Sequence, residues 1–251
     1  MTAVFDFHVR LGPQPEAPAR LLAALDAGGI TRAAVCAGGV IELDRLSSQL
    51  VEGGHVATAA DNDAVLAACG GSDGRLVPFY FANPYAGPRP YRRQAPLFRG
   101  LELSPAVYGT GFRDATTYAL VRVAADAGHP VYTVCTGQRG ARAADLVWLA
   151  GRFPTVPFVF GHCGFTGIDT DGINRIADHD NIIVETSGCW CVAVRRAVAQ
   201  LGADRVVFGT EYPLQEPSVE LAKLAALGLS TAVREKVAWR NAHRLLGEEC
   251  P

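Results

Sequence analysis

The stretch Phe5-Asp-Phe-His-Val-Arg10 alternates apolar and polar residues with the period of a β-strand, so Asp6, His8 and Arg10 fall on one face. With this opening run at about 3–9, further short apolar or alternating runs lie at about 32–37, 75–82, 99–104, 130–135, 156–162, 181–187 and 205–210, each closed by polar or Gly/Pro residues. Between them come segments with helical spacing, such as Ala19-Arg-Leu-Leu-Ala-Ala-Leu25, Tyr118-Ala-Leu-Val-Arg-Val-Ala-Ala125 and Ala144-Asp-Leu-Val-Trp-Leu-Ala150. They are long enough to serve as crossover helices. Eight βα units at roughly 30-residue spacing predict an α/β fold, a single (β/α)8 TIM-type barrel over residues 1–251, with a last helix from about Thr231 through Leu246. A doubly wound open sheet fits less well. Its first strand-to-helix turn, Arg10-Leu-Gly-Pro-Gln-Pro15, lacks the glycine fingerprint of dinucleotide binding, and Gly109-Thr-Gly111 does not follow a strand directly.

Two stretches break the repeat. Residues 38–60 carry Leu43, Leu46, Leu50 and Val51 at amphipathic helical spacing, and residues 83–96 hold Pro84, Pro88, Pro90 and Pro96. Both are expected at the mouth of a pocket, because βα loops emerge on the face where barrel active sites are built.

Composition narrows the partners. The 251 residues are 49% hydrophobic, enough for one large core, and 23 Lys and Arg against 25 Asp and Glu leave a net charge of −2. Such a balance offers no field for steering onto nucleic acid. The N-terminal residues lack a basic, apolar leader pattern, and no apolar run approaches the ~18 residues of a membrane span, so a cytoplasmic protein without membrane partners is expected. Seven scattered cysteines without a CxxC pair suggest neither a disulfide framework nor a zinc knuckle, and Cys189-Trp-Cys191 reads as packing at a helix start. A homo-oligomer remains compatible with all of this.

The strand ends carry the chemistry. Parity groups Val131, Thr133 and Cys135, then Phe158, Phe160 and His162, then Val207, Gly209 and Glu211, so that each inner row rises to one reactive residue at its C-terminal end. That is the layout of a barrel active site.

These motifs, in this order, resemble the amidohydrolase-related family, the barrel metal hydrolases and decarboxylases of the amidohydrolase superfamily. Phe5-Asp-Phe-His-Val-Arg10 is similar to the family's D-x-H-x-H, and Asn62-Asp63, Gly74-Arg-Leu-Val-Pro-Phe79 and Ala82-Asn-Pro84 look like its third helix and strand. Gly100-Leu-Glu-Leu-Ser-Pro105 stands where the family has G-x-K-x-H-P, and Pro130-Val131 with Cys135-Thr-Gly137 where it has P-V followed by H-T-G. Phe158-Val-Phe-Gly-His-Cys-Gly164, Glu185-Thr-Ser-Gly188, Phe208-Gly-Thr-Glu-Tyr-Pro213 and Asn241-Ala-His-Arg-Leu-Leu-Gly247 complete the series, which runs nearly end to end.

The resemblance implies a divalent metal held by two first-strand histidines, a fifth-strand histidine and an eighth-strand aspartate, with a sixth-strand histidine assisting. This chain departs from that set. His8 and His162 remain, while Arg10, Cys135 and Glu211 replace the other ligands, and Glu102 and Ser104 replace a fourth-strand lysine and histidine. A guanidinium has no lone pair to donate, and its charge opposes a nearby dication.

The leading expectation is therefore a metal-free, hydrolase-like enzyme acting on a small amide, lactone or ester. In it Arg10 supplies the metal's charge, Glu211 and His162 are acid–base groups, His8 helps stabilise an oxyanion, and Asp6, Glu102 and Ser104 touch substrate. Cys135 beside His162 is a candidate nucleophile. Two alternatives stand beside it: a single zinc on His8, Cys135 and Glu211, with Asp6 or His162 as a further ligand, serving hydrolysis or decarboxylation, and a non-catalytic barrel that binds a small molecule or a partner.

Overall fold

The structure, a computed structural model, describes residues 3–250; the first two residues and the last, which the expected 1–251 domain includes, lie outside the described residues. Eight parallel strands follow one another around a sheet in chain order. They are β1 (Phe5–Leu11), β2 (Arg32–Ala37), β3 (Leu76–Phe81), β4 (Gly100–Leu103), β5 (Val131–Thr133), β6 (Phe158–Phe160), β7 (Ile182–Glu185) and β8 (Val206–Val207). The chain just past β8 runs back along β1, where Phe7 N donates to Phe208 O at 2.8 Å, Glu211 N to His8 O at 2.9 Å and Arg10 N to Tyr212 O at 2.7 Å. Those bonds complete the ring, so the fold is the (β/α)8 barrel the repeat predicts.

Helices wrap the outside. In chain order the first ten are α1 (Ala17–Gly28), α2 (Leu43–Glu52), α3 (Asn62–Gly70), α4 (Arg89–Gln94), α5 (Pro105–Tyr108), α6 (Ala115–Ala127), α7 (Ala143–Ala150), α8 (Thr170–Arg175), α9 (Cys191–Leu201) and α10 (Pro217–Ala226). The expected last helix is interrupted: a π-helical turn, Lys236–Arg240, separates Thr231–Glu235 from Asn241–Leu245. The interruption has a local cause, since Val237 O accepts from Phe208 N at 2.9 Å and Asn241 Nδ2 donates to Val206 O at 2.8 Å, pinning this segment to the strand that closes the barrel.

Strand interiors differ from the parity expected at β5 and β6. Tyr132 points into the barrel, stacked on the His8 ring with centroids 3.8 Å apart, and its hydroxyl donates to Glu185 at 2.8 Å. Alternation then turns Val131 and Thr133 toward the helices. Gly161 lies under the Tyr132 ring and Gly209 against the Glu185 carboxylate, where any Cβ would collide. The inner rows Val131–Thr133 and Phe158–Phe160 are thus corrected to Tyr132 and Gly161. Val131, Phe158 and Phe160 are fully buried all the same, because both faces of a barrel strand are covered.

The two irregular stretches also part company. α2 lies over the barrel mouth as expected, fixed by Gln49 Nε2 donating to Ala106 O at 2.9 Å and Val107 O at 3.2 Å. Residues 83–96 do not line the cavity, although Asn83 and Tyr85 hold the neighbouring segments through Ala57 O and Tyr108 O. Their α4 packs on the outer face, where Tyr91 meets Tyr80 at 4.8 Å and hydrogen-bonds His129 at 2.7 Å.

Candidate active site

The first strand carries a bulge that aims the site. Asp6 pairs with Ala33 and Val9 with Val35, so three steps along β1 match two along β2. Asp6 sits at that irregularity and accepts from His8 N at 3.2 Å, Thr210 N at 2.9 Å and Thr210 Oγ1 at 2.5 Å. It is fully buried, and burial pushes its carboxyl up to about 7 although these hydrogen bonds pull the other way. Expected to touch substrate, Asp6 instead ties β1 to the closing strand.

Past the bulge, Arg10 spans the mouth. Its Nε donates to Glu211 Oε1 at 2.6 Å, its second terminal nitrogen to Glu102 Oε1 at 2.8 Å, and the first lies 3.6 Å from Cys36 Sγ. His8 faces the same two carboxylates, with Nε2 3.4 Å from Glu102 Oε2 and Nδ1 in contact with Glu211 Oε2. Burial opposes the charge on His8, but Glu211 and Glu102 outweigh it and hold its pKa well above 6.5. Burial likewise works against ionised Glu102, yet Arg10 and His8 bring its carboxyl down to about 2; the same two cations hold Glu211 well below its ordinary range. Arg10, His8, Glu102 and Glu211 therefore form a four-membered network of two positive and two negative charges.

His162 stands beside it. Its Nε2 is 3.7 Å from Glu211 Oε2, and at 23% side-chain exposure it is the most accessible of these groups. Its Nδ1 lies 2.9 Å from Ser187 Oγ, which in turn donates to Glu185 Oε2 at 2.9 Å, while Ser187 N donates to Glu185 Oε1 at 2.5 Å. Because the single Ser187 proton goes to Glu185, Ser187 Oγ accepts from Nδ1–H, and the other ring nitrogen, Nε2, faces the network. His162 and Glu211 both adopt left-handed backbone, with φ 59° and 60°. Such conformations are costly for residues with a Cβ and cluster at functional sites.

Sequence reasoning passed over Tyr132, Glu185 and Ser187. Glu185-Thr-Ser-Gly188 was visible as a motif at a strand end, but nothing local said that its carboxylate turns inward to orient a histidine on the neighbouring strand.

A cavity of about 380 Å³ opens over the network and is lined by Arg10, Ser104, Cys135, His162 and Glu211 on its polar side. Ser104 reaches it as expected. Glu102, fully buried, lies behind Arg10 instead of against the cavity. Cys135 is in the wall but makes no hydrogen bond to His162 among the described residues, and burial, with Asp169 and Asp145 nearby, pushes its thiol far above the ordinary value. That environment suppresses the thiolate a nucleophile or metal ligand needs.

Among the described residues, two groups of side chains bring potential metal-ligating atoms within 4.8 Å of one another: His8, His162 and Glu211, and His8, Cys36 and Glu102. Cys135 belongs to neither, so the zinc set His8, Cys135 and Glu211 is corrected: the third partner beside His8 and Glu211 is His162. Imidazole and carboxylate donors suit a divalent cation. To bind one, His8 would have to lose a proton and Glu211 would have to be shared with Arg10.

Among the described residues, no helix is long and apolar enough to cross a membrane. No curated protein matches the sequence. Among solved structures, the chain is similar to an uncharacterised TIM-barrel protein from Bordetella bronchiseptica, with TM-score 0.77 and 19% identity over 98% of each chain. It is similar also to 5-carboxyvanillate decarboxylase from Sphingomonas paucimobilis (TM-score 0.73, 14% identity, 99% of this chain and 100% of that one). A third likeness, to dihydroxybenzoic acid decarboxylase from Polaromonas with bound manganese and 2-nitroresorcinol, has TM-score 0.73 and 16% identity over 98% of this chain and 97% of that one. These likenesses show the barrel fold. The family model for amidohydrolases matches residues 5–247, almost the whole length, and the protein is thus an enzyme belonging to the amidohydrolase family.

Proposed function

We propose that this single-domain barrel hydrolyses a small ester, lactone or amide, and that Arg10 with protonated His8 stands where relatives hold a metal. The observation that carries this reading is the Arg10 guanidinium seated between Glu102 and Glu211 at 2.8 and 2.6 Å, a fixed cation in the middle of the candidate ligands.

The roles follow from the geometry. In the neutral ring, with Nδ1–H given to Ser187, His162 Nε2 takes a proton from water as that water attacks the acyl carbon. Glu211, 3.7 Å away, stabilises the imidazolium that forms. This exchanges the parts first expected, because a carboxylate held so far below its ordinary range is a weak base. Arg10 uses three of its five N–H groups on Glu211, Glu102 and Cys36, and the remainder, with the Ser104 hydroxyl, can meet the developing oxyanion. The imidazolium then protonates the leaving oxygen or nitrogen.

A second reading is favoured by the clustering of His8, His162 and Glu211 and by the manganese in structures of similar fold. In it those three side chains would hold a divalent cation, which supplies Lewis acidity for hydrolysis or decarboxylation.

One experiment separates the two. Purified protein is screened against neutral and carboxylated esters, lactones and amides, and against aromatic carboxylates, with chelator and with manganese, followed by metal analysis. Turnover of an acyl compound that survives chelation and falls at least about 10²-fold in His162→Gln supports the first reading. Activity present only with bound metal refutes it and establishes the second.

A further inference from the structure

The geometry points to an uncharged substrate with an apolar body for this site, an alkyl or aryl ester or lactone rather than a carboxylated compound. This rests on the hydrolytic reading above and names the class of compound that the site would take.

Three observations carry it. The first is the wall. Ile41 together with Leu43, Leu46 and Leu50 of α2 forms one side of the cavity, and Val107 and Phe165 belong to the same lining. The three leucines recur at helical spacing on one face of α2, and the Gln49 hydrogen bonds to Ala106 O and Val107 O hold that helix over the mouth. Such a wall removes apolar ligand surface from water.

The second is the charge balance. Among the described residues lining the cavity, Arg10 is the only Lys or Arg. Its charge is matched by Glu211 and Glu102, and the charge of His8 is spent on the same two carboxylates. Both basic groups are thus already committed to carboxylates, and fully buried Glu185 lies just beneath them. Recognition of a carboxylate calls for an uncommitted guanidinium or ammonium, and an anion buried without one is strongly disfavoured.

The third is the kind of donor that remains. Arg10 keeps spare N–H groups although its charge is neutralised, so it can hydrogen-bond a neutral carbonyl oxygen, and more strongly as negative charge develops there. In the reaction the water oxygen bonds to the acyl carbon as the carbon–oxygen bond to the leaving alcohol breaks. One water proton reaches the alcohol through His162, and the other is released as the new acid ionises. The product carboxylate then sits in a site with no free cation and is expelled.

Binding and turnover test this separately. Isothermal calorimetry compares hexanophenone, a neutral ketone that cannot be hydrolysed, with the same ketone bearing a terminal carboxylate. The neutral ketone should bind at least about tenfold more tightly, and Leu46→Lys, which adds an unmatched cation to the wall, should reverse the order. Equal affinities, tighter binding of the carboxylate, or no binding of either would overturn the substrate class. Para-nitrophenyl hexanoate and its terminally carboxylated counterpart are assayed in parallel. If the ketones discriminate as expected but neither ester is hydrolysed, the hydrolytic reading fails and the ligand class stands.

Discussion

Replacing Arg10 with methionine removes the one guanidinium from a pair of buried carboxylates while keeping a long apolar stem. Glu102 is fully buried, and Burial alone would raise its carboxyl; Arg10, then His8, reverse that and hold it at about 2 against an ordinary 4.5. At about 1.4 kcal/mol per unit, that shift corresponds to roughly 3 kcal/mol of stability at neutral pH, shared between the two cations. Removing one partner of a buried ion pair typically costs about 3–5 kcal/mol, so the two figures agree in size. For a domain of this length, about 2–4 °C per kcal/mol gives a fall in Tm of about 6–20 °C at pH 7.5. The pH dependence has a definite sign. In the wild type the depressed Glu102 contributes stability that is complete above the unfolded value of 4.5 and lost only as pH falls from there toward 2. In Arg10→Met the buried carboxyl titrates above 4.5, so the folded variant takes up a proton as pH falls from 7.5 to 5 and regains stability. Thermal melts of both proteins at these two pH values are the assay. A variant as stable as wild type at pH 7.5, or a gap that does not narrow by pH 5, would refute the account of Arg10 as the counter-charge of the site.

Two further outcomes are expected. Asp6, raised to about 7 from 3.8, keeps its proton in the folded state where the unfolded chain has lost it, so it removes stability as pH rises between those values and no more above. Asp6→Asn, whose Oδ1 can still accept from His8 N and Thr210 N while its Nδ2 donates to Thr210 Oγ1, should gain on wild type by up to about 4 kcal/mol across that window in urea melts; a difference independent of pH would show that Asp6 is ionised throughout. Iodoacetamide at neutral pH should label exposed Cys250 first and buried Cys135 no faster than a free thiol in a peptide. Preferential labelling of Cys135 would restore a nucleophilic cysteine to the mechanism.

The barrel was legible because strand periodicity and Gly/Pro punctuation recur around the whole chain, and each expected run overlaps one observed strand, β1 alone extending past its expected end. His8, Arg10, His162 and Glu211 were legible as polar residues at strand ends, where apolar content gives way. Which side of β5 faces inward was not. Val131 and Thr133 alternate with Tyr132, all three are buried, and a strand covered on both faces gives no polarity contrast from which to choose. The choice follows from Gly161 and Gly209 on other strands, whose missing side chains make room for the Tyr132 ring and for Glu185. Cys135 was assigned by the same parity and does reach the cavity wall, but from beyond the end of β5, where strand alternation no longer governs. The extra residue in β1 was equally hidden, since a bulge depends on the partner strand's register.

The left-handed backbone at His162 and Glu211 bears on how this lineage can change. Each position carries about 1–2 kcal/mol of conformational cost that a glycine would not incur. While the chemistry is under selection, that cost is carried, and β-branched replacements at both positions are closed off. Once the chemistry is no longer needed, drift toward glycine or asparagine at 162 recovers that cost, whereas at 211 the gain is outweighed by the lost counter-charge of Arg10 and His8. A descendant barrel that has lost its reaction should therefore reveal the loss first at position 162, and should keep the acidic residue at 211 for as long as it keeps Arg10.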